Sequence, residues 1–241
     1  MVYSRAFVAK FMGILRGMLK AIFFDFDGVL VDTEPLHLRA FQKILAAEDL
    51  PLSEQDYYAK YVGFDDKGCF QAVFSDNGRP VTPETIRGLV DRKAVLFLEQ
   101  LKTNLVVYPG ITEFVTRSAQ RYRLAVVSGA LRHEIEYSLE AAGIRRQFEQ
   151  ITASQDIRDG KPDPEGYLHT LRQLNRQAPL TAPECLVIED TVPGIRAAHG
   201  AGMRCLAVSN TFSPKELSLA DAVTLTLDDY DLDSLVQRFW N

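Results

Sequence analysis

The chain has 241 residues, 46% of them hydrophobic and 24% charged, with a formal net charge of −5. That length suits one large domain or two smaller ones, and the composition is ordinary for a soluble globular protein. The mild acidity argues against nucleic-acid binding across the surface, and no apolar run approaches the length of a membrane span. Cys69, Cys185 and Cys205 lie far apart and match neither a zinc cluster nor a disulfide framework, so buried thiols in a reducing cytoplasm are expected.

Residues 1–18 carry Arg5, Lys10 and Arg16 and no acid. They lack a long apolar h-region and a clear cleavage site, and are read as a poorly ordered extension ahead of Met18. Residues 20–26 then read as a fully buried strand, of the continuous apolar kind found in parallel sheets covered on both faces. Helical stretches follow in a row over about 35–47, 53–61, 65–75 and 83–102, with Leu38, Phe41, Ile44 and Leu45 at helical spacing. Asp32-Thr33 before Glu34-Pro35 predicts a helix start with a capping side chain and a proline in the first turn. No strand separates these helices, so residues 34–106 read as an inserted α-helical cap domain.

Tyr108-Pro109-Gly110 marks the return to the sheet. A helix over 110–121, a strand over 124–127 and a helix over 131–142, closed at Gly143, come next. A weaker strand near 150–153, a helix over 164–176, a strand over 185–188, a helix over 193–200 and a strand over 204–208 complete the rhythm. Strands alternating with helices define an α/β fold, here a doubly wound, Rossmann-like parallel sheet core. Residues 19–33 and 107–241 form that core around the cap. His133, His169 and His199 sit on predicted helices with surface or packing roles, and a monomer is expected.

In open α/β sheets, ligands bind beyond the carboxyl ends of the strands. After the first strand come Asp25 and Asp27, two carboxylates that point the same way on an extended segment, with Gly28 permitting a sharp turn. After the second comes Ser128-Gly129, and after 185–188 comes Glu189-Asp190. Between them lies Gly160-Lys161-Pro162-Asp163-Pro164. Each has an ordinary explanation alone: a turn, a loop, a solvated lysine, acids at a helix N-terminus. Their coincidence at successive strand ends points to phosphoryl transfer. Three acids hold a hard divalent cation through oxygen ligands. The cation and Lys161 offset the charge of a phosphate. Ser128 and nearby backbone amides donate to its oxygens. One aspartate attacks phosphorus while the other moves protons.

In these stretches the chain resembles the haloacid dehalogenase superfamily, in its β-phosphoglucomutase/phosphoglycolate phosphatase branch with a helical cap. The resemblance rests on Asp25-Phe26-Asp27-Gly28-Val29-Leu30-Val31-Asp32-Thr33-Glu34-Pro35-Leu36-His37, Val127-Ser128-Gly129, Gly160-Lys161-Pro162-Asp163-Pro164 and Ile188-Glu189-Asp190-Thr191-Val192-Pro193-Gly194-Ile195. It implies Asp25 as nucleophile, Asp27 as general acid/base, and Ser128 and Lys161 as phosphate ligands. It also implies Mg2+ held by Asp25, the Asp27 backbone carbonyl and Asp190, with Glu189 assisting. His37 falls where the branch carries a hinge histidine near the acid/base aspartate. True dehalogenases lack the second carboxylate, Asp27.

The branch contains phosphatases and mutases. Its mutases carry a cap arginine for a distal phosphate in a Gly-Val-Ser-Arg stretch; here the aligned residues are Gly63-Phe64-Asp65-Asp66. Gly129-Ala130-Leu131-Arg132 likewise replaces the polar residues that mutases place after the serine. Lys67, Arg79 and Arg132 are the alternative cations, each read as surface charge. The expectation is a cytoplasmic Mg2+-dependent phosphatase acting on a small phosphorylated metabolite such as a sugar phosphate, through an aspartyl-phosphate. A hexose-phosphate mutase is the alternative, and a catalytically silent regulatory or binding homologue the third reading.

Overall fold

A computed structural model describes residues 18–240 of the chain. Apart from Met18, the expected N-terminal extension lies outside the described residues. Strand β1 (Ala21–Phe24) leads into four helical segments: α1 (Glu34–Ala46), α2 (Glu54–Asp56, continued as a π-helical turn over Tyr57–Tyr61), α3 (Asp66–Asp76) and α4 (Pro83–Asn104). Next come α5 (Ile111–Ala119), β2 (Arg123–Val127), α6 (Arg132–Ala141), β3 (Phe148–Thr152) and α7 (Glu165–Asn175). The chain closes with β4 (Cys185–Glu189), α8 (Val192–Gly200), β5 (Arg204–Val208), β6 (Ala222–Thr224) and α9 (Leu232–Trp240).

The strands form one six-stranded sheet in the order β3-β2-β1-β4-β5-β6, with every pairing parallel. Strand alternation divides the core into two layers. Ile22, Phe24, Leu124, Val126, Leu186, Ile188, Leu206 and Val208 face a cluster that includes Phe114 and Ile135. Ala21, Phe23, Ala125, Val127, Cys185, Val187, Cys205 and Ala207 face the opposite cluster, with Tyr167 and Ile195. Burial on both faces accounts for the unbroken apolar runs in the sequence. All three cysteines are buried and unpaired.

The helices between β1 and β2 bury their own apolar cluster, with Phe41, Phe70, Phe74 and Leu89 at its centre. A smaller one, Leu36, Ala40, Phe97 and Leu101, joins α1 to α4. Side chains start several helices. Ser53 accepts from the Asp56 N–H at 3.0 Å, Asp65 from Gly68 at 2.6 Å, and Thr82 from Thr85 at 3.1 Å.

Thr33 departs from expectation. It stands at the N-cap of α1 with Pro35 in the first turn, but its side chain makes no capping bond. The hydroxyl turns instead to Asp27. The 53–61 helix also differs: only Glu54–Asp56 is α-helical before the chain widens into the π segment, with Tyr57 and Tyr61 buried against the cluster. Strand β6 and helix α9 lie beyond the elements expected from the sequence. Trp240, on α9, is buried and donates its indole N–H to the Pro183 carbonyl at 2.8 Å.

Candidate active site

Strand order reverses at β1, which lies between β2 and β4. A crevice therefore opens beyond the carboxyl ends of those strands. There the structure places a cavity of about 560 Å3, lined from one side by Asp25, Asp27, Ser128, Gly129, Lys161 and Asp190. From the helical block His37, Tyr57, Phe64, Asp66 and Lys67 close it. Glu189 lies beneath, fully buried.

Asp25 is the first residue past β1. Its Oδ1 accepts from the Phe26 N–H at 2.7 Å and from Lys161 Nζ at 2.8 Å. Lys161 also meets Glu189 Oε1 at 2.6 Å, so a single ammonium bridges two carboxylates. Tyr167 donates to the same Glu189 oxygen at 3.0 Å. The other Glu189 oxygen takes the Asp190 and Thr191 N–H groups and the Thr191 hydroxyl. Burial works to raise Glu189, but Lys161 and those donors hold it below the usual carboxylate range. The same burial, with Glu189 and Asp27 adding and Lys161 opposing, pushes Asp25 up to about 8. Asp190 is driven up by burial, then by the charges of Glu189 and Asp25. Burial alone would lower Lys161; its two carboxylate partners overcome that and raise it.

The packing around this acid cluster is tight. Gly28 has φ +75°, and a Cβ there would fall 2.0 Å from Asp190 Oδ2. The close approach therefore requires glycine twice over, for conformation and for space. Asp25, Glu189 and Asp190 can each turn an oxygen to within 4.8 Å of the others. Asp190 Oδ1 is buried with no hydrogen-bond partner among the described residues. A set of buried carboxylates with an orphaned oxygen fits a hard divalent cation, which would satisfy that oxygen and offset the mutual repulsion.

Asp27 goes elsewhere, and here the expectation from strand alternation fails. The strand ends at Phe24, the chain turns through Asp25 and Phe26, and the two carboxylates take different partners. The Asp27 side chain accepts from the Thr33 hydroxyl, from Ser128 Oγ at 3.5 Å, and faces His37 Nε2 at 3.5 Å. Burial alone would raise this carboxyl, but His37, Thr33 and the more distant Lys93 hold it below its ordinary value. Ser128 Oγ in turn accepts the Ala130 N–H at 2.9 Å. Gly129 stands exposed on the cavity wall.

His37 leads to a group that its sequence position does not reveal. Its ring stacks on Phe97 with centroids 4.1 Å apart, and its Nδ1 lies 2.6 Å from Nζ of Lys93. An ammonium only donates, so Nδ1 accepts and Nε2 carries the proton turned toward Asp27. Lys93 is itself almost wholly buried, between the rings of Phe41 and Phe97, and pairs with Asp66 Oδ1 at 2.5 Å. A chain of contacts thus runs Asp27–His37–Lys93–Asp66, from the sheet into the helical block. Of the alternative cations, Lys67 lines the cavity, whereas Arg79 reaches the Glu48 carbonyl and Arg132 pairs with Asp156.

The chain has relatives among known proteins. The sequence model of the haloacid dehalogenase-like hydrolases matches residues 22–208, and the chain belongs to that family, as an enzyme of its phosphatase kind. It is 30% identical over 224 residues to the phosphorylated carbohydrates phosphatase of Thermotoga maritima, covering 90% of this chain and 98% of that protein. Among solved structures, CbbY from Rhodobacter sphaeroides in complex with phosphate superposes with TM-score 0.78 at 27% identity, over 88% of this chain and 96% of that one. β-Phosphoglucomutase from Clostridium difficile shares the fold, with TM-score 0.82 at 19% identity over 92% and 97% of the two chains. Among the described residues no helix is long and apolar enough to cross a membrane.

Proposed function

We propose that the chain is a Mg2+-dependent phosphatase that hydrolyses a small phosphorylated metabolite, a sugar phosphate or similar, through an aspartyl-phosphate on Asp25. The observation that carries this is the separation of two aspartates within one cavity. Asp25 sits among the acids that suit a cation, and Asp27 sits on a proton-bearing imidazole. The similarity to a relative named for phosphorylated carbohydrates supports the substrate class.

Asp25, Glu189 and Asp190, with the Asp27 backbone carbonyl, would hold Mg2+, which favours the ionised form of Asp25 and offsets phosphate charge. Lys161 supplies further positive charge, and Ser128 a hydroxyl donor. A carboxylate oxygen of Asp25 bonds to phosphorus as the ester P–O bond breaks. The leaving oxygen takes the proton of Asp27. Asp27 is ionised in the empty cavity and takes that proton from bulk water as the phosphate dianion arrives, whose charge raises its proton affinity. Water then attacks the phosphorus, giving a proton back to Asp27 and releasing Asp25 and phosphate. The helical block acts as the cap that closes this site.

The mutase alternative needs a cation for a second phosphate. Asp66 stands at that place and is already paired with Lys93. Phosphate release from a substrate panel tests the proposal: Asp25→Asn is expected to lower it by at least about a thousandfold. With β-glucose 1-phosphate and a bisphosphate primer, free phosphate supports the phosphatase, and accumulation of glucose 6-phosphate would sink it.

A further inference from the structure

Glu134 lies in the first turn of α6, is only 3% exposed, and lines the cavity. Its Oε2 accepts the Leu131 N–H at 3.0 Å, which accounts for one oxygen as a helix cap. Its Oε1 is buried with no hydrogen-bond partner among the described residues. A carboxylate oxygen removed from water and given no donor is costly to keep. With the residue on the cavity wall, a bound molecule is the source from which a donor can come.

The surrounding charge narrows what that molecule is. Setting aside the acids assigned to chemistry and Asp66, which is paired with Lys93, the wall still carries Glu34, Asp65, Glu134 and Asp163, against Lys67. Lys161 is engaged by Asp25 and Glu189, and Lys93 by Asp66 and His37. Glu34 already accepts from the Tyr57 hydroxyl at 2.7 Å. The part of the cavity left for the leaving group is therefore rich in acceptors and poor in free cations. A second phosphate or a carboxylate there would meet like charge in a partly dry site.

We infer that Glu134 is a specificity-determining residue that accepts a hydrogen bond from a hydroxyl of the leaving group, so that the enzyme takes monophosphates of neutral polyols and rejects esters bearing a second anion. This rests on the phosphatase reading above and adds to it the chemical class of the alcohol. An acceptor that goes unpaired with the wrong ligand discriminates more strongly than an apolar pocket does.

Two matched pairs test it: glycerol 3-phosphate against 3-phosphoglycerate, and glucose 6-phosphate against glucose 1,6-bisphosphate, with 4-nitrophenyl phosphate as the ester without a hydroxyl. In the wild type at about pH 8, where Glu134 is ionised, kcat/KM is expected to favour the neutral member of each pair by at least about tenfold. Glu134→Gln can keep the helix cap through its amide oxygen while removing the charge. That variant should narrow both ratios by about tenfold, with a thermal unfolding scan checking that it is folded. A wild type that cleaves the anionic members as well as the neutral ones overturns the inference, and this arm needs no variant. A variant that changes both members by the same factor overturns it too. Failure to cleave any of the esters, 4-nitrophenyl phosphate included, takes down the phosphatase reading along with it.

Discussion

Lys93 is the residue whose position most changes the picture of the site. On an amphipathic helix a lysine reads as solvent-facing, and nothing in the pattern ties it to a histidine 56 positions earlier in the chain. Its burial between two aromatic rings, with one carboxylate and one imidazole as partners, makes it a positioning residue acting on Asp27 through His37. Lys93→Met removes a positive charge that helps hold Asp27 down. The limb of the pH–rate profile that reports Asp27 should then move to higher pH. An unmoved limb, with kcat reduced equally at all pH values, would assign Lys93 a purely structural role. Removing one member of a buried pair should also lower stability by roughly 3–5 kcal/mol in urea unfolding.

Glu134 supports a second prediction at the same scale. Burial pushes its carboxyl up to about 7 from an ordinary 4.5, with Lys93 and His37 opposing. The folded state therefore binds the proton more tightly than the unfolded chain does. That stabilisation is complete below about 4.5 and is lost as pH rises through about 7. Glu134→Gln does not titrate, so its melting temperature should gain on the wild type across this window and hold a constant lead above it. The lead corresponds to on the order of 3 kcal/mol at neutral pH; a difference that stays flat from pH 4 to 8 would contradict the assignment. Asp25 and Glu189-Asp190 were legible in the sequence because they stand at the carboxyl ends of buried strands, and Lys161 because of the glycine and prolines around it. The roles of Lys93, Glu134 and the Thr33 hydroxyl depend on contacts across the fold, and a helix cap was the only signal any of them offered.

At the level of elements, legibility followed burial. Strands β1, β2, β4 and β5 are buried along nearly their whole length and read as apolar runs. Strand β6 is three residues long and only half-buried, at the sheet edge, so its pattern carries little. Helix α9 buries Leu232, Leu235 and Trp240, a spacing that could have revealed it. The junction of β4 and α8 is the element contact most sensitive to size. Thr191 caps α8 by accepting the Gly194 N–H at 3.1 Å, and this draws the helix start onto Glu189. A Cβ on Gly194 would lie 1.7 Å from Glu189 Oε1. Gly194→Ala must therefore displace a fully buried acid or the helix, and should destabilise by more than about 3 kcal/mol in urea unfolding. Gly88, on the exposed face of α4, has nothing within 4 Å of its would-be Cβ. There alanine should stabilise by about 0.5–1 kcal/mol, because the helix loses its most flexible residue. Equal responses at the two glycines would refute the role given to the β4–α8 junction.

Over the whole molecule, the sheet gathers charge that works against its own stability. Asp25, Glu189 and Asp190 converge from β1 and β4, two adjacent parallel strands in register, with Lys161 as the shared counter-ion. Asp190 is the least supported of them, driven above its ordinary range by burial and by its neighbours' charge, with one oxygen unpaired. Without a cation, Lys161 and proton uptake are what relieve this repulsion; a bound cation stabilises the folded state by mass action, by about 2.7 kcal/mol at a hundred times its dissociation constant. For a domain of this size that amounts to a rise of roughly 5–10 °C in melting temperature on adding Mg2+. Asp190→Asn removes both the repulsion and a ligand. In the presence of a chelator it should therefore melt above the wild type, and it should lose most of the response to Mg2+ along with phosphate release. The opposite order in chelator, with the variant melting below the wild type, would mean that Asp190 helps hold the fold together. A wild-type melting temperature indifferent to Mg2+ would mean that the acids meet for some purpose other than holding a metal. Higher stability joined to lost activity is the pattern expected when a fold keeps like charges together for chemistry.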